Sequence, residues 1–283
     1  MVHYVRSFPL RSPPPAGGIG GANRERLAEL HRSFRGPFSV ADAAGTLDQD
    51  EDTARRLLGY LSRRGWLTRV RRGLYLAVPL DAAQAGEWVE DPWIVAARAF
   101  GPAYIGGWSA AEHWSMTEQV FRDVVVVTTR DVRRRHHVLQ GQTFLVTRRA
   151  EEKVFGLRAV WRRDVRVEVS DPNRTVVDVL DDPSIGGGIR HVTSILREYL
   201  GSEHCNEPLL VEYGDRLGNR AVFKRLGWIL EVLGLGGPLR EACAERRSAG
   251  LVKLDPTVEG DGRIVRRWGL RVNVALDERA DDW

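Results

Sequence analysis

The hydrophobic period of the chain changes at Gly65, and this change constrains the fold more than any other feature of the sequence. Before Gly65, apolar residues recur with the spacing of an amphipathic helix, at Ala54, Leu57, Leu58 and Leu61. After it, residues 66–78 alternate apolar and polar side chains around Arg71-Arg72-Gly73, which can form a tight turn. The stretch therefore predicts a helix that ends at Gly65 and leads directly into a β-hairpin.

Two further helices are predicted upstream of this one. Residues 23–35 have a helical apolar period and are followed by a Gly-Pro pair that ends a helix. Residues 39–47 form a shorter helix, in which Ser39 and Asp42 have the spacing of a capping box. Three helices followed by a hairpin predict a winged helix-turn-helix over residues 23–80.

The basic charge of the chain is concentrated in this region. Residues 1–78 contain 13 Arg and 7 Asp or Glu, whereas the other 205 residues contain 29 Lys or Arg and 31 Asp or Glu. The net charge is therefore +6 in the first part and −2 in the rest, which makes up the total of +4. A local excess of this kind is typical of a domain that binds a polyanion, and here it indicates double-stranded DNA.

Nine residues are candidates for contact with DNA. Arginines on the exposed side of the third helix offer cations for phosphates and planar donors for base edges. Arginines of the hairpin suit a phosphate or a minor groove, and the start of the second helix offers N–H groups to a phosphate. The candidates are Ser39, Arg55, Arg56, Tyr60, Arg63, Arg64, Arg69, Arg71 and Arg72.

Acidic residues crowd the start of the third helix, the end that usually probes bases. They stabilise the helix dipole but repel phosphates, and they are Asp48, Asp50, Glu51 and Asp52. We therefore expect the contacts to shift toward Arg55, Arg56 and the hairpin.

The remaining chain predicts a larger mixed domain, so that the fold class is α+β. Short helical patterns alternate with β-branched runs over residues 81–283, and residues 1–22, rich in Pro and Gly, are expected to form a flexible arm. No apolar run is long enough for a membrane span, and the start of the chain has no signal-peptide pattern. Two cysteines, Cys205 and Cys243, do not make a disulfide framework, and a cytoplasmic location is expected.

Several segments of the chain resemble the AbiEi-type antitoxin family. The resemblance is carried by FSVADAAGTL, by ARRLLGYLSRRGWLTRVRRGLYLAVP with its Arg72-Gly73-Leu74-Tyr75, and by YIGGWSAAEHWSMTEQ at residues 104–119. It continues through residues 124–129 and 169–180, and it is close to a mycobacterial member of the family.

The resemblance implies a type IV toxin–antitoxin system. The antitoxin represses its own operon through the winged helix, and its C-terminal domain opposes a nucleotidyltransferase-like toxin encoded beside it, with or without direct contact. On this hypothesis the chain is not an enzyme, and it has no catalytic residue, cofactor or metal.

Two alternatives remain open for the larger domain. Asp131, Glu151 and Lys153 match the loose pattern of metal-dependent nucleases, although the pattern calls for a strand where the sequence indicates a turn. The other alternative is a repressor whose larger domain senses a ligand.

Other features of the larger domain are weaker indications. The stretch Gly106-Gly107-Trp108-Ser109 followed by Asp123 is similar to part of a nucleotidyltransferase motif but lacks its second acid. Gly186-Gly187-Gly188 favours a flexible connection over a phosphate loop, because no Gly-Lys pair follows it. Residues 133–137 predict an exposed basic turn.

Overall fold

The computed structural model describes residues 18–79 and 88–276 of the 283-residue chain. The fold is a mixed α+β fold, as predicted. The chain forms two compact units, one running to Ala99 and including Arg162–Val165, the other comprising Phe100–Trp161 and the chain from Arg166 onward. No helix in residues 18–79 or 88–276 has the length and apolar character that a membrane crossing requires.

The first unit contains three helices and a small antiparallel sheet. Its elements are α1 (Gly21–Ser33), β1 (Phe38–Ser39), α2 (Val40–Thr46), α3 (Glu51–Arg63), β2 (Leu67–Arg71) and β3 (Leu74–Ala77). The strand order is β1-β3-β2. The predicted helices and hairpin are present, and β1 is an addition that pairs Phe38 with Tyr75. The apolar stripe of α3 and residues from α1, α2 and the sheet form one buried core.

Two boundaries differ from those expected at the ends of this unit. Helix α1 begins at Gly21, so the last two residues of the expected arm are helical; residues 1–17 of the arm lie outside the described residues, as do residues 80–87. The first unit also extends past residue 80, because the following helix packs on it. A Cβ at Gly36 would lie 2.7 Å from Cγ2 of Ile94, and the guanidinium of Arg162 lies 4.1 Å from the ring of Trp93.

The second unit is built on a mixed six-stranded sheet with the order β6-β7-β5-β4-β9-β8. Helix α4 (Pro92–Phe100) precedes it, and its elements are β4 (Ala103–Ile105), α5 (Gly107–His113), β5 (Val124–Thr128), β6 (His136–Leu139), β7 (Gln142–Arg148), β8 (Leu157–Arg162) and β9 (Val165–Ser170). Strand β5 is buried along its whole length, which confirms the interpretation of its run of valines.

Helices and a second small sheet complete this unit. They are α6 (Pro172–Asp181), α7 (Ile189–Gly201), α8 (Glu207–Leu217), α9 (Ala221–Val232), α10 (Pro238–Arg246), β10 (Val252–Lys253), β11 (Arg263–Val265) and β12 (Leu270–Val272). The small sheet has the order β10-β12-β11. Both cysteines are free; Cys243 is buried, and burial raises the pKa of its thiol to about 12.

The predicted basic turn at residues 133–137 is wrong at its end, where His136 and His137 begin β6. This strand pairs antiparallel with β7 across a two-residue turn, Gln140-Gly141, in which both residues have positive φ. His137 is half-buried with its ring 5.3 Å from that of Phe100. The sequence favours a turn because the run of basic residues is polar and only two apolar residues, Val138 and Leu139, follow it.

Candidate nucleic-acid interface

The first unit contains a groove between the start of α2, the first turns of α3 and the β2–β3 hairpin. It has a volume of about 560 Å³. We call it the arginine groove, and it is lined by Ser39, Val40, Ala41, Glu51, Arg55, Arg69, Arg72, Gly73 and Tyr75. Four of the candidates from the sequence, which are separated by up to 33 positions, therefore meet at one surface: Ser39, Arg55, Arg69 and Arg72.

Ser39 lies where β1 ends and α2 begins, and its conformation is held by a complete capping box. The N–H of Asp42 donates to Oγ of Ser39 over 3.1 Å, and the N–H of Ser39 donates to Oδ2 of Asp42 over 2.8 Å. These two N–H groups are already satisfied and are not offered to a phosphate. The Ser39 hydroxyl retains its own O–H donor, and Ser39 lines the groove.

Arg55 and Glu51 are the residues of α3 that line the groove, and two acids lie beside the guanidinium of Arg55. Its Nη1 lies 2.5 Å from Oδ1 of Asp52, one turn earlier, and its Nη2 lies 3.6 Å from Oε2 of Glu51. The third acid, Asp50, caps the helix and accepts from the N–H of Thr53 over 2.9 Å. Hydrogen bonds from Thr53 lower the pKa of the Asp50 carboxyl. Of the acids expected to repel phosphates, Asp50 thus caps the helix, and Glu51 and Asp52 pair with Arg55.

The hairpin brings Arg69 and Arg72 to the same groove. The register of β2 against β3 shifts between Arg69 and Arg71, and such a bulge turns the side chains beyond it. Gly73 has a φ of 78°, a conformation that suits glycine at the end of the tight turn. Arg71 is exposed but does not line the groove.

The other candidates on α3 lie outside the groove lining. Nη2 of Arg56 donates to Oγ1 of Thr53 over 2.8 Å. The guanidinium of Arg64 lies 5.5 Å from the ring of Tyr60, and Arg63 is exposed. The three arginines are exposed and continue the basic surface along α3 beyond the groove, whereas Tyr60 is partly buried against the core.

Five lining residues are not among the candidates from the sequence, and they are Val40, Ala41, Glu51, Gly73 and Tyr75. Glu51 was considered only as an acid that repels phosphates. Tyr75 belongs to the Arg-Gly-Leu-Tyr segment, and its position opposite Arg69 across the hairpin is the signal that places it near the site. The i−3 spacing of Asp52 from Arg55 is the signal for their ion pair.

The residues of the nuclease hypothesis do not have the strand placement that its pattern calls for. Asp131 is exposed and pairs with Arg148 over 3.3 Å, while Glu151 and Lys153 lie on a 3₁₀ turn and not on a strand. Within residues 18–79 and 88–276, no group of three or more His, Cys, Asp or Glu side chains is arranged to hold a metal ion.

Two further motifs of the larger domain have structural roles. Oγ of Ser109 accepts from the N–H of Val125, and Nε1 of Trp108 donates to the carbonyl of Asp123, so both hold α5 against β5. At the glycine triplet, the N–H of Ile189 donates to Oδ2 of Asp255 over 2.7 Å. A carboxylate of the same chain therefore occupies the start of α7, where a phosphate would bind.

The basic segment before β6 is partly engaged within the second unit. Nη2 of Arg135 lies 3.2 Å from Oδ2 of Asp182 and donates to Oγ of Ser184 over 2.9 Å. Arg133 and Arg134 are exposed.

The geometry defines a mixed α+β protein with an arginine-lined groove on a helix-and-hairpin unit. No protein-family model and no curated protein matches the chain. Among solved structures, the fold is similar to that of the RV2827C protein from Mycobacterium tuberculosis, with a TM-score of 0.60 over 92% of this chain and 94% of that chain. The two sequences are 16% identical, and at this level the similarity shows the fold alone.

Proposed function

We propose that this chain is a DNA-binding transcriptional repressor and the antitoxin of a type IV toxin–antitoxin pair. The arginine groove is the observation that carries the DNA-binding part, since it joins a helix and a hairpin in the manner of a winged helix. The antitoxin part is supported by the resemblance of residues 38–180 to the AbiEi-type family. The protein acts in the cytoplasm, represses its own operon and opposes a nucleotidyltransferase-like toxin.

The positions of the arginines support different contacts with DNA for the hairpin and for α3. Arg69 and Arg72 extend from a hairpin, where a flexible cation suits a phosphate or a narrow minor groove. Arg55 lies on α3, which enters the major groove in a winged helix. Arg63 and Arg64, near the end of α3, contact the phosphate backbone.

A double variant of the hairpin tests the DNA-binding part. Arg69→Ala/Arg72→Ala removes two phosphate contacts, so we expect weaker binding to the upstream region of its own operon. The slope of log K against log salt should fall by about 1–2. Fluorescence anisotropy with a labelled duplex at several salt concentrations measures both quantities.

The matched control is Arg24→Ala/Arg35→Ala, which removes the same charge from exposed positions of the same unit outside the groove. We expect the control to keep most of the salt slope. An equal loss of slope in both variants, or an unchanged slope in the hairpin variant, would show that the groove is not the DNA-binding surface.

The antitoxin part needs a separate measurement. Cells that express the nucleotidyltransferase-like toxin encoded beside this chain should stop growing, and co-expression of the chain should restore their growth. Growth arrest that persists at full expression of the chain contradicts this part of the proposal.

A further inference from the structure

We propose that Arg55 reads a guanine in the bound DNA and that Asp52 is the positioning residue that orients Arg55 for this contact. The inference rests on the proposed DNA-binding function and deepens it by naming the determinant of sequence preference. It starts from the ion pair at the edge of the arginine groove, where Nη1 of Arg55 lies 2.5 Å from Oδ1 of Asp52.

The pair gives the guanidinium a defined direction. Asp52 accepts one N–H of Nη1, and Nη2 lies 3.6 Å from Oε2 of Glu51, which leaves three of the five N–H donors for a partner in the groove that Arg55 lines. Both side chains are more than half exposed, so in water the pair contributes little to stability. When DNA displaces that water, the local dielectric falls and the pair strengthens at the moment of binding.

A base edge explains this arrangement better than a phosphate. A phosphate is satisfied by any nearby cation, and an adjacent carboxylate weakens that attraction. Hydrogen bonding to a base requires donors at fixed positions. A carboxylate partner fixes the N–H donors of Arg55 by limiting the rotamers of its side chain. The acid therefore reduces affinity for the backbone and preserves the donors for a base.

Guanine is the base whose edge matches those donors. In the major groove it presents two acceptors side by side, O6 and N7, which suit the forked N–H groups of arginine. Adenine places a donor beside its N7, cytosine presents a donor, and thymine presents one acceptor beside a methyl group. An oriented Arg55 therefore discriminates guanine from the other three bases.

Gly59 supplies an independent indication that a large partner approaches this face. It lies one turn after Arg55 on α3, and a Cβ there would meet only Nη1 of Arg63, at 3.6 Å. The protein's own packing does not require glycine at this position. The missing side chain allows another molecule to approach the helix backbone closely.

Base preference is measured with the full chain and a panel of duplexes. Selection from random duplexes first locates a guanine that the wild-type chain prefers; anisotropy then compares that duplex with three others substituted at the same pair. We expect a preference of about 5- to 150-fold for guanine at that position in the wild type. Arg55→Ala should abolish it.

The variant Asp52→Asn distinguishes whether Asp52 orients Arg55 or only repels the phosphates of DNA. If Asp52 orients Arg55, the preference for guanine falls several-fold while affinity for non-preferred duplexes stays equal or rises. Asp48→Asn is the matched control, because it removes the same charge close to the start of α3 from an exposed residue that does not line the groove. It should leave the preference unchanged, and Asp52→Glu should restore part of it.

The outcomes separate this inference from the function on which it rests. Equal tightening by Asp52→Asn and Asp48→Asn on all duplexes, with the guanine preference intact, overturns the positioning role. Binding without any guanine preference that depends on Arg55 overturns the base contact and leaves DNA binding in place. Absence of DNA binding by the folded wild-type chain, verified by circular dichroism, overturns the proposed function itself.

Discussion

Arg174 and Asp178 lie one turn apart on α6, and both side chains are fully buried, with Nη2 of Arg174 at 3.0 Å from Oδ1 of Asp178. Nη2 of Arg149 lies 3.2 Å from the same oxygen, and the hydroxyl of Tyr104 donates to Oδ2 over 2.9 Å. Burial raises the pKa of Tyr104 well above its ordinary value, so its proton stays available for Asp178. Arg55 and Asp52 have similar spacing on α3 but are exposed. Burial, and not the spacing along the helix, therefore determines which of the two ion pairs stabilises the interior of the protein.

Removal of Arg174 should destabilise the second unit strongly. Arg174→Met leaves Asp178 buried with one cation fewer, and we expect the free energy of unfolding to fall by about 3 kcal/mol. Urea denaturation followed by tryptophan fluorescence measures this change. Arg133→Met, at an exposed position, should change it by less than about 0.5 kcal/mol. Similar small effects for both variants would contradict a stabilising role for the buried network.

At the scale of elements, α3 and the hairpin line the same groove. The helix buries its apolar stripe and presents its charged side, while the hairpin places Arg69 and Arg72 in the same groove as residues of α2 and α3. Each of these two elements contains a glycine, and the two glycines have different backbone conformations. Gly59 has the helical backbone conformation, which other residues can also adopt, whereas Gly73 has the positive φ of a tight turn.

The same substitution at these two glycines should have opposite effects on stability. Gly59→Ala improves helix propensity without a clash, so we expect stabilisation of up to about 1 kcal/mol. Gly73→Ala places a Cβ at a left-handed position and should cost about 1–2 kcal/mol. Thermal unfolding of the two variants beside the wild type measures both. Effects of the same sign would contradict this interpretation of the turn or of the helix.

At the scale of the whole molecule, the two units have different chemical character. The first contains the basic excess and the arginine groove, and the second has a mixed sheet, a nearly neutral composition and a buried ion network. This contrast supports a separation of the two proposed activities. The proposed function assigns DNA binding to the first unit and opposition to the toxin to the second.

Arg69→Ala/Arg72→Ala should therefore separate repression from antitoxin action. We expect the variant to lose repression of a reporter that carries its own promoter, because it lacks two phosphate contacts. It should still restore growth in cells that express the toxin. Loss of both activities, at an expression level equal to that of the wild type, would show that the antitoxin action also depends on the groove.

The elements of the first unit could be predicted because their signals are local. Residues of α3 three and four positions apart define its buried stripe, and the glycine-ended turn defines the hairpin. Strand β1 could not be predicted, since two residues carry no period and form a strand only by pairing with β3. Strand β6 was missed for a related reason, because the pairing with β7 decides its conformation.

By itself, the sequence determined the order of helices and hairpin around Gly65 and the side of α3 on which Arg55 lies. It also determined the concentration of positive charge before residue 78. Only the tertiary structure decided that Ser39, Arg55, Arg69 and Arg72 share one groove. Periodicity describes neighbours along one element, whereas a binding surface depends on side chains that distant elements bring together.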